Sequence, residues 1–193
     1  MKSEGIFTGK SNPLLGDKVK LWKSRDIQGS EIEVGECLAG IIRLTKPAIV
    51  VETGCYLGDT TLAMARAIKK NGFGKLYTCD LSAELASKVK AKIKKAGLER
   101  YAFVFAMSGD DLIERVNQKY GIDFAFVDSG DEHGVREYEI NLLSRYMKPR
   151  KMFAVHDTAP QHKGMVEVMD KVNLPKIYFD TPRGLTLVEI PHK

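Results

Sequence analysis

Apolar and polar positions alternate along this chain with two different periods. From residue 48 onward, short runs of β-branched and aromatic residues are followed by longer stretches in which apolar residues recur every three or four positions. Short apolar runs indicate buried strands, and the longer period indicates amphipathic helices. The pattern predicts strands at 49–53, 75–80, 101–106, 123–128 and 151–156, which alternate with helices at 60–70, 110–119, 135–147 and 161–172 and with a helix that Ser82 caps and Gly97 closes.

Two further strands are predicted near the C-terminus, at 176–180 and 185–190, with a turn at 180–184. No helix fits between them, so they must form an antiparallel hairpin. Strands that are separated by helices imply right-handed crossovers and a parallel sheet. The predicted fold class is therefore α/β, with a seven-stranded, mainly parallel sheet, a C-terminal antiparallel hairpin and helices on both faces.

The whole chain, 1–193, is predicted to be a single domain. Residues 1–46 form an N-terminal extension with one helix near 33–44, and residues 47–193 form the core. Neither a repeat nor a linker interrupts the pattern. In sheets of this kind, ligands bind beyond the carboxyl ends of the strands. The segments to inspect for function are therefore those that directly follow the five parallel strands.

The composition is that of an ordinary globular protein, with 44% hydrophobic and 28% charged residues. No apolar run is long enough to span a bilayer, and residues 1–24 contain no signal-peptide core. We therefore expect a cytoplasmic protein with no membrane partner. The three cysteines, Cys37, Cys55 and Cys79, match no zinc spacing and are expected to be reduced and mostly buried.

The net charge of +5 raises the question of an anionic partner. Much of the excess lies in the lysine-rich stretch 88–95, where Leu85, Val89 and Ile93 repeat every four residues. The lysines therefore belong to the solvated face of a helix. Because no aromatic residues interleave with them for base stacking, a nucleic-acid partner is disfavoured.

The loop after the first strand, residues 52–58, carries the most informative motif, Glu-Thr-Gly-Cys-Tyr-Leu-Gly. Gly54 permits a tight turn and close approach of a ligand to the backbone. The dinucleotide fingerprint G-x-G-x-x-G is absent, because Gly54 and Gly58 have no third glycine in place. Glu52 would repel a diphosphate but suits the cationic amine of a methionyl group. An NAD-dependent oxidoreductase is therefore disfavoured.

This loop resembles that of the class I S-adenosylmethionine-dependent methyltransferases. Within them, it is similar to the catechol and caffeoyl-CoA type of small-molecule O-methyltransferase, whose loop reads Glu-x-Gly-x-Tyr-x-Gly. The resemblance covers roughly residues 30–190 and includes the lead-in at 31–40. It implies the Rossmann-like methyltransferase fold and S-adenosylmethionine as the cofactor.

The resemblance also implies a set of cofactor-binding residues. Asp80 ends the second strand, where a carboxylate can accept hydrogen bonds from both ribose hydroxyls, although it could instead be a charge at a helix start. Leu81 would pack on the adenine, and Asp110 would contact the adenine edge or cap the next helix. The full predicted set is Glu52, Thr53, Gly54, Tyr56, Gly58, Thr60, Asp80, Leu81, Ser108, Gly109, Asp110, Asp128 and Ser129.

A cation site is implied at the ends of the fourth and fifth strands. In catechol-type enzymes, an Asp after strand four and an Asp-Asn pair after strand five hold a divalent cation. The aligned residues here are Asp128, His156 and Asp157. The expected ion is Mg²⁺ or Mn²⁺, and the imidazole shifts the preference away from Mg²⁺. Such an ion would hold a substrate hydroxyl and lower its pKa.

The lysine base of the catechol type is missing, because Asp131 occupies its position. The segment is also similar to the macrocin-type sugar O-methyltransferases, which implies that His133 or His156 is the general base, with Asp157 completing the catalytic set. Two alternatives stay open. His156 could be a strand-end histidine bonded to Asp157, and His133 could be a polar residue at a helix start.

The predicted function is S-adenosylmethionine-dependent O-methylation of a small-molecule hydroxyl on a sugar, polyketide or phenol. The predicted partner is that acceptor, and a homo-oligomer is compatible with the sequence. Methylation of RNA or protein is an alternative that the basic composition supports weakly. A non-catalytic protein that binds the cofactor is another, because Asp131 departs from the pattern.

Overall fold

The computed structural model describes residues 21–25, 28–130 and 134–192. It contains seven strands and six helices within these ranges. The strands are β1 (Ile49–Thr53), β2 (Lys75–Asp80), β3 (Ala102–Ala106), β4 (Phe124–Val127), β5 (Met152–His156), β6 (Lys176–Phe179) and β7 (Leu185–Glu189). The helices are α1 (Ile32–Thr45), α2 (Asp59–Asn71), α3 (Ala83–Lys95), α4 (Gly109–Tyr120), α5 (Val135–Tyr146) and α6 (Lys163–Lys171).

All seven strands form one sheet in the order β3-β2-β1-β4-β5-β7-β6. The pairs from β3 to β5 are parallel, whereas β7 runs antiparallel to both β5 and β6. The strand order reverses between β1 and β4, so the carboxyl ends of these two strands flank the crevice in which such sheets bind ligands. This topology confirms the predicted fold class, including the C-terminal hairpin.

Helices cover both faces of the sheet, because successive side chains of a strand point to opposite sides. Val50 belongs to the core that α1, α2 and α3 build on one face. Val51 belongs to the core that α4, α5 and α6 build on the other face. Both valines are fully buried, as expected for a central parallel strand with both faces covered.

Capping side chains explain where α3 and α4 begin. Ser82 accepts a hydrogen bond from the backbone N–H of Leu85 (3.2 Å), so the predicted cap of α3 is confirmed. Ser108 accepts one from the N–H of Asp111 (3.4 Å) and caps α4. Asp110 therefore lies within the first turn of α4, and the alternative that it caps this helix is wrong.

The lysine-rich helix has the predicted solvated face. Helix α3 buries Val89 and Ile93 against the sheet, and most of its lysines are exposed. Cys55 and Cys79 are buried and Cys37 is half-buried, each as a free thiol. In the ranges that the structure describes, no helix combines the length and the apolar character needed to cross a membrane.

Candidate active site

A cavity of about 840 Å³ opens at the carboxyl ends of β1, β2 and β4, beside the start of α4. The N-terminal segment 28–30 closes one side of it. Of the predicted cofactor residues, all except Glu52 and Thr53 line this cavity. The lining residues from that set are Gly54, Tyr56, Gly58, Thr60, Asp80, Leu81, Ser108, Gly109, Asp110, Asp128 and Ser129. The strand-end rule thus brings residues from four different loops to one place.

The loop after β1 is a tight turn fixed by backbone contacts. The N–H groups of Gly54 and Cys55 both donate to the carbonyl of Cys79 on β2, at 3.1 and 2.9 Å. Gly54 has a φ of 78°, and a methyl group on it would lie 2.1 Å from the carbonyl oxygen of Asp128. Only glycine fits here, because the loops after β1 and β4 approach each other so closely.

Asp80 is held at the cavity wall by two backbone amides. Its Oδ2 accepts from the N–H of Tyr56 and its Oδ1 from the N–H of Ser82, both at 2.9 Å. These bonds fix the carboxylate and leave lone pairs for further donors, since an ionised carboxylate offers about four. The neighbouring Leu81 is 76% exposed and lines the same cavity. A carboxylate beside an apolar side chain suits a ribose joined to a base.

Glu52 lies below the cavity floor rather than in its wall. Its carboxylate is fully buried and accepts hydrogen bonds from three hydroxyls, those of Thr60 (2.6 Å), Thr61 (2.5 Å) and Thr78 (2.7 Å). Burial raises the pKa of Glu52 to about 7, although the threonine bonds oppose this rise. The expected contact between Glu52 and a cofactor amine is therefore corrected to an indirect role, because the carboxylate holds the first turn of α2 against the sheet.

Thr53 also faces the interior, where it meets a carboxylate that the sequence analysis did not identify. Glu139 of α5 accepts from the hydroxyls of Thr53 (2.8 Å) and Ser129 (2.9 Å) through Oε2. Glu139 is one of the residues that line the cavity, and its buried Oε1 has no hydrogen-bond partner among the described residues. A methyl group on Gly109 would lie 1.9 Å from that oxygen, so glycine at 109 makes room for the Glu139 carboxyl group.

The structure brings Asp128, His156 and Asp157 together, as the resemblance implies. One potential ligand atom from each lies within 4.8 Å of the others. His156 is fully buried, with its Nδ1 3.1 Å from Oδ1 of Asp128 and its Nε2 2.9 Å from Oε2 of Glu31. Both ring nitrogens therefore face carboxylates, and His156 is not among the residues that line the cavity.

Two arginines complete this cluster. Arg183, in the turn between β6 and β7, donates to Asp157 through Nε (2.6 Å) and Nη2 (3.0 Å). Arg136 of α5 donates to the same carboxylate from Nη2 (3.0 Å), and to the carbonyls of Ser129 and His156. A bidentate guanidinium pair of this kind is among the stronger charged contacts in proteins. Asp157 is thus enclosed by two cations.

The charges of the cluster set its pKa values. Burial lowers the pKa of His156, but Asp128, Glu31 and Asp157 outweigh it and raise the value to about 10. Burial raises the pKa of Asp157, but His156, Arg183 and Arg136 outweigh it and hold the value well below its usual range. His156 is therefore protonated at neutral pH, and in that state its ring has no lone pair with which to accept a proton.

His133 lies outside the described residues, so its predicted role as a base stays a prediction. The segment 131–133 that contains it connects Gly130 to Gly134, and both glycines line the cavity. The alternative for His156, a strand-end histidine near Asp157, agrees with a 3.4 Å contact between Nδ1 and Oδ1 of Asp157. Its shorter contacts are to Asp128 and Glu31.

Sequence reasoning missed the charged residues that surround this cluster, which are Glu31, Arg136, Glu139 and Arg183. One of them carried a signal. Arg136 precedes the buried Ile140 and Leu143 by four and seven positions, so helical periodicity places a charged residue on the apolar face of α5. A charge in such a position requires a buried partner.

Comparison with known proteins agrees with this geometry. A family model described as a methyltransferase domain matches residues 51–158, which is more than half of the chain and includes every loop of the cavity except the N-terminal segment and the β6–β7 turn. The chain belongs to this methyltransferase family. It is also related to two groups of curated enzymes.

Caffeoyl-CoA O-methyltransferase of Stellaria longipes is 30% identical over 115 residues, which are 58% of this chain and 47% of that protein. Mouse catechol O-methyltransferase is 27% identical over 89 residues, 46% of this chain and 33% of that protein. This methyltransferase domain therefore spans less than half the length of either relative. A protein of Mycobacterium tuberculosis, named as a probable O-methyltransferase, is 27% identical over 83% of this chain and 67% of its own length.

Solved structures share the fold of this methyltransferase domain at low sequence identity. An O-methyltransferase of Streptomyces achromogenes involved in tomaymycin synthesis, solved with S-adenosylmethionine, superimposes with a TM-score of 0.70 at 16% identity and covers all of both chains. An O-methyltransferase of Bacillus cereus, solved with S-adenosylhomocysteine, gives 0.69 at 14% identity over 85% of this chain and 84% of its own. At these identities the likeness establishes the fold alone.

The contact between Gly54 and Asp128 generates a stability prediction. Gly54→Ala should lower the free energy of unfolding by about 3 kcal/mol or more, because a positive φ costs an L-residue about 1–2 kcal/mol and the methyl group also overpacks the loop. Gly72→Ala is the matched control, since its φ of 81° is similar and nothing lies within 4 Å of the added methyl. Urea denaturation measures both; equal losses would contradict the close approach.

Glu139 generates a prediction for pH dependence. Burial raises its pKa from 4.5 to about 7, so the folded state binds more protons than the unfolded state between these values. Stability from this group is present below pH 4.5 and is lost as the pH rises through 7. Glutamine does not titrate, so the free energy of unfolding of Glu139→Gln should rise relative to that of wild type as the pH increases. We expect this difference to grow by about 1 kcal/mol or more between pH 5 and 7.5.

The control for this experiment is Glu99→Gln, which changes an exposed carboxylate. Its free energy of unfolding should follow the wild-type pH profile without divergence. Urea denaturation at four or five pH values gives both curves. A Glu139→Gln curve that stays parallel to wild type would show that this carboxyl group is not the one that titrates.

Proposed function

We propose that the protein is an S-adenosylmethionine-dependent O-methyltransferase that acts on a small-molecule hydroxyl. The observation that carries this proposal is the fixed carboxylate of Asp80, which two backbone amides hold beside the exposed Leu81 in a cavity of about 840 Å³. The relationship to catechol and caffeoyl-CoA O-methyltransferases supports the acceptor class. A cavity of this volume has room for a nucleoside, a methionyl group and a small acceptor.

The residues of the cavity fit this cofactor. The absent side chain of Gly54 leaves the backbone after β1 open to a methionyl group, and Asp80 offers acceptors for two ribose hydroxyls. Leu81 offers an apolar surface for the adenine, next to the N-terminus of α4 at Ser108 and Gly109. When bound, the cofactor supplies a reactive sulfonium methyl group. The protein then contributes mainly by aligning the acceptor oxygen for in-line attack.

The acceptor would enter on the side of the cavity that Asp128, Tyr138 and Arg183 line. Asp128 is fixed there by the hydroxyl of Ser30, which donates to its Oδ2 at 2.8 Å. Because His156 faces two carboxylates inside the protein, we propose that it positions Asp128 rather than removing the acceptor proton. His133 is then the remaining predicted base, and its place in the sequence between two cavity-lining glycines supports this role.

The resemblance to catechol-type enzymes also implies a divalent cation that Asp128, His156 and Asp157 would hold. Their ligand atoms are close enough together. However, the carboxylate oxygens of Asp128 and Asp157 already contact donors or cations of the protein, and both ring nitrogens of His156 already contact carboxylates. The cluster as it stands therefore does not fit an additional ion. The reaction proposed here contains no step through a cation.

Cofactor binding tests the core of the proposal. Asp80→Asn should weaken S-adenosylhomocysteine about 10- to 100-fold, because it replaces charge-assisted hydrogen bonds to the ribose by weaker ones. Glu84→Gln, which removes the same charge from an exposed site four residues away, should change the affinity less than twofold. Isothermal titration calorimetry measures the affinities. Wild-type protein that binds NAD but not S-adenosylhomocysteine would refute the proposal.

The two histidines should separate into a chemical and a structural role. His133→Gln should lower kcat about 10²-fold or more with a panel of phenolic and sugar acceptors, since general bases contribute this much, and should keep the affinity for S-adenosylhomocysteine within twofold. His156→Gln should instead lower the melting temperature, because it removes the charged ring that contacts both Asp128 and the buried Glu31.

His192→Gln is the control for these two variants, because His192 is an exposed residue at the end of the chain. It should match wild type in kcat, cofactor affinity and melting temperature. If His133→Gln keeps full activity while His156→Gln folds normally and loses it, the two roles are reversed.

A further inference from the structure

We propose that Arg136 and Arg183 form a built-in cationic centre that takes the place of a divalent cation at the ends of β4 and β5. The site would then work without metal. This deepens the proposed function, since it assigns the charges that serve the acceptor side of the same cavity.

Of the three carboxylates, Asp157 has the most cationic surroundings. Both of its oxygens accept from Arg183, and Oδ2 also accepts from Arg136. The carboxylate side chain is 1% exposed. Its backbone φ of 60° turns the residue out of the β5 strand direction, in a conformation that Asp tolerates better than most residues. A metal could reach this carboxylate only by displacing a guanidinium group.

Both carboxylate oxygens of Asp128 also have polar contacts within the protein. Oδ2 accepts from the Ser30 hydroxyl at 2.8 Å, and Oδ1 lies 3.1 Å from Nδ1 of His156. Nη2 of Arg136 is a further cationic neighbour, 3.6 Å from Oδ1. Arg136 therefore bridges Asp128 and Asp157, the two carboxylates that a shared metal ion would also bridge.

The whole cluster contains both negative and positive groups. Glu31, which is buried, accepts from the backbone N–H of Arg183 at 2.8 Å and contacts the ring of His156. Three carboxylates thus meet two guanidinium groups and one imidazole. A dication added to this cluster would face the two guanidinium groups at close range. Two carboxylates without arginines would present the opposite balance, which suits a hard cation.

Metal binding by the wild-type protein is the decisive measurement. The protein is stripped with EDTA, dialysed, and titrated with Mn²⁺ while electron paramagnetic resonance reports the free ion. We expect no stoichiometric binding at Mn²⁺ concentrations up to about 1 mM, the range of weak protein sites, and no change in melting temperature on adding EDTA or Mn²⁺. Binding of one Mn²⁺ by wild type that Asp157→Asn abolishes would overturn the proposal.

A variant that gains Mn²⁺ binding complements the expected absence of binding in wild type. Arg183→Met removes the bidentate partner of Asp157 and should create Mn²⁺ binding at least tenfold tighter than any in wild type. Adding Asp157→Asn to this variant should abolish that binding. Arg145→Met is the matched control, since Arg145 is exposed on the same helix as Arg136. It should bind no Mn²⁺. If Arg183→Met fails to fold, the wild-type titration still decides.

This test is independent of the cofactor proposal. Wild-type protein that binds both Mn²⁺ and S-adenosylhomocysteine would overturn the cationic centre and leave the methyltransferase proposal intact. Protein that binds neither would refute the cofactor proposal and support the cationic centre. As an additional readout, affinity for S-adenosylhomocysteine in wild type should be the same in 1 mM EDTA, a routine chelating concentration, and in equimolar Mn²⁺.

Discussion

The structure of the cavity depends on a buried network of three carboxylates and three cations. Its members, Glu31, Asp128, Arg136, His156 and the Asp157–Arg183 pair, come from five separate parts of the chain. A buried charge without a partner is costly, and removal of one member of such a pair typically destabilises a protein by about 3–5 kcal/mol. These residues therefore constrain one another, because a residue that left its position would take a charged partner away from another.

This constraint also fixes residues 30–31 and the β6–β7 turn relative to the sheet. Glu31 and Ser30 attach the N-terminal segment to β5 and to the loop after β4, and Arg183 attaches the β6–β7 turn to the end of β5. Gly184 reinforces this docking, because a methyl group there would lie 2.1 Å from the backbone nitrogen of Ala159. One wall of the cavity is thus held by charge and backbone contact, whereas the sheet below it is held by apolar packing.

The sequence predicted the fold well because the signals for it are local. Apolar runs such as 49–53, the Ser82 cap and the lack of space for a helix between the last two strands each lie within a few residues. The position of Gly54 and Asp80 in the cavity wall was also predictable, because Gly54 directly follows β1 and Asp80 ends β2. The charged network was not, since its contacts join residues up to 152 positions apart and no local pattern links Glu31 to Arg183.

The same difference separates the two halves of the cavity in physical terms. The half that we propose for the cofactor uses backbone geometry and one fixed carboxylate, Asp80. In the half that we propose for the acceptor, carboxylates and cations are paired with each other, so little net field would reach an acceptor. Recognition there must depend on shape and on individual donors and acceptors, such as the carboxylate of Asp128. Glu139 lies at the junction, because it joins Thr53 at the end of β1 to Ser129 after β4 and thereby connects the two halves.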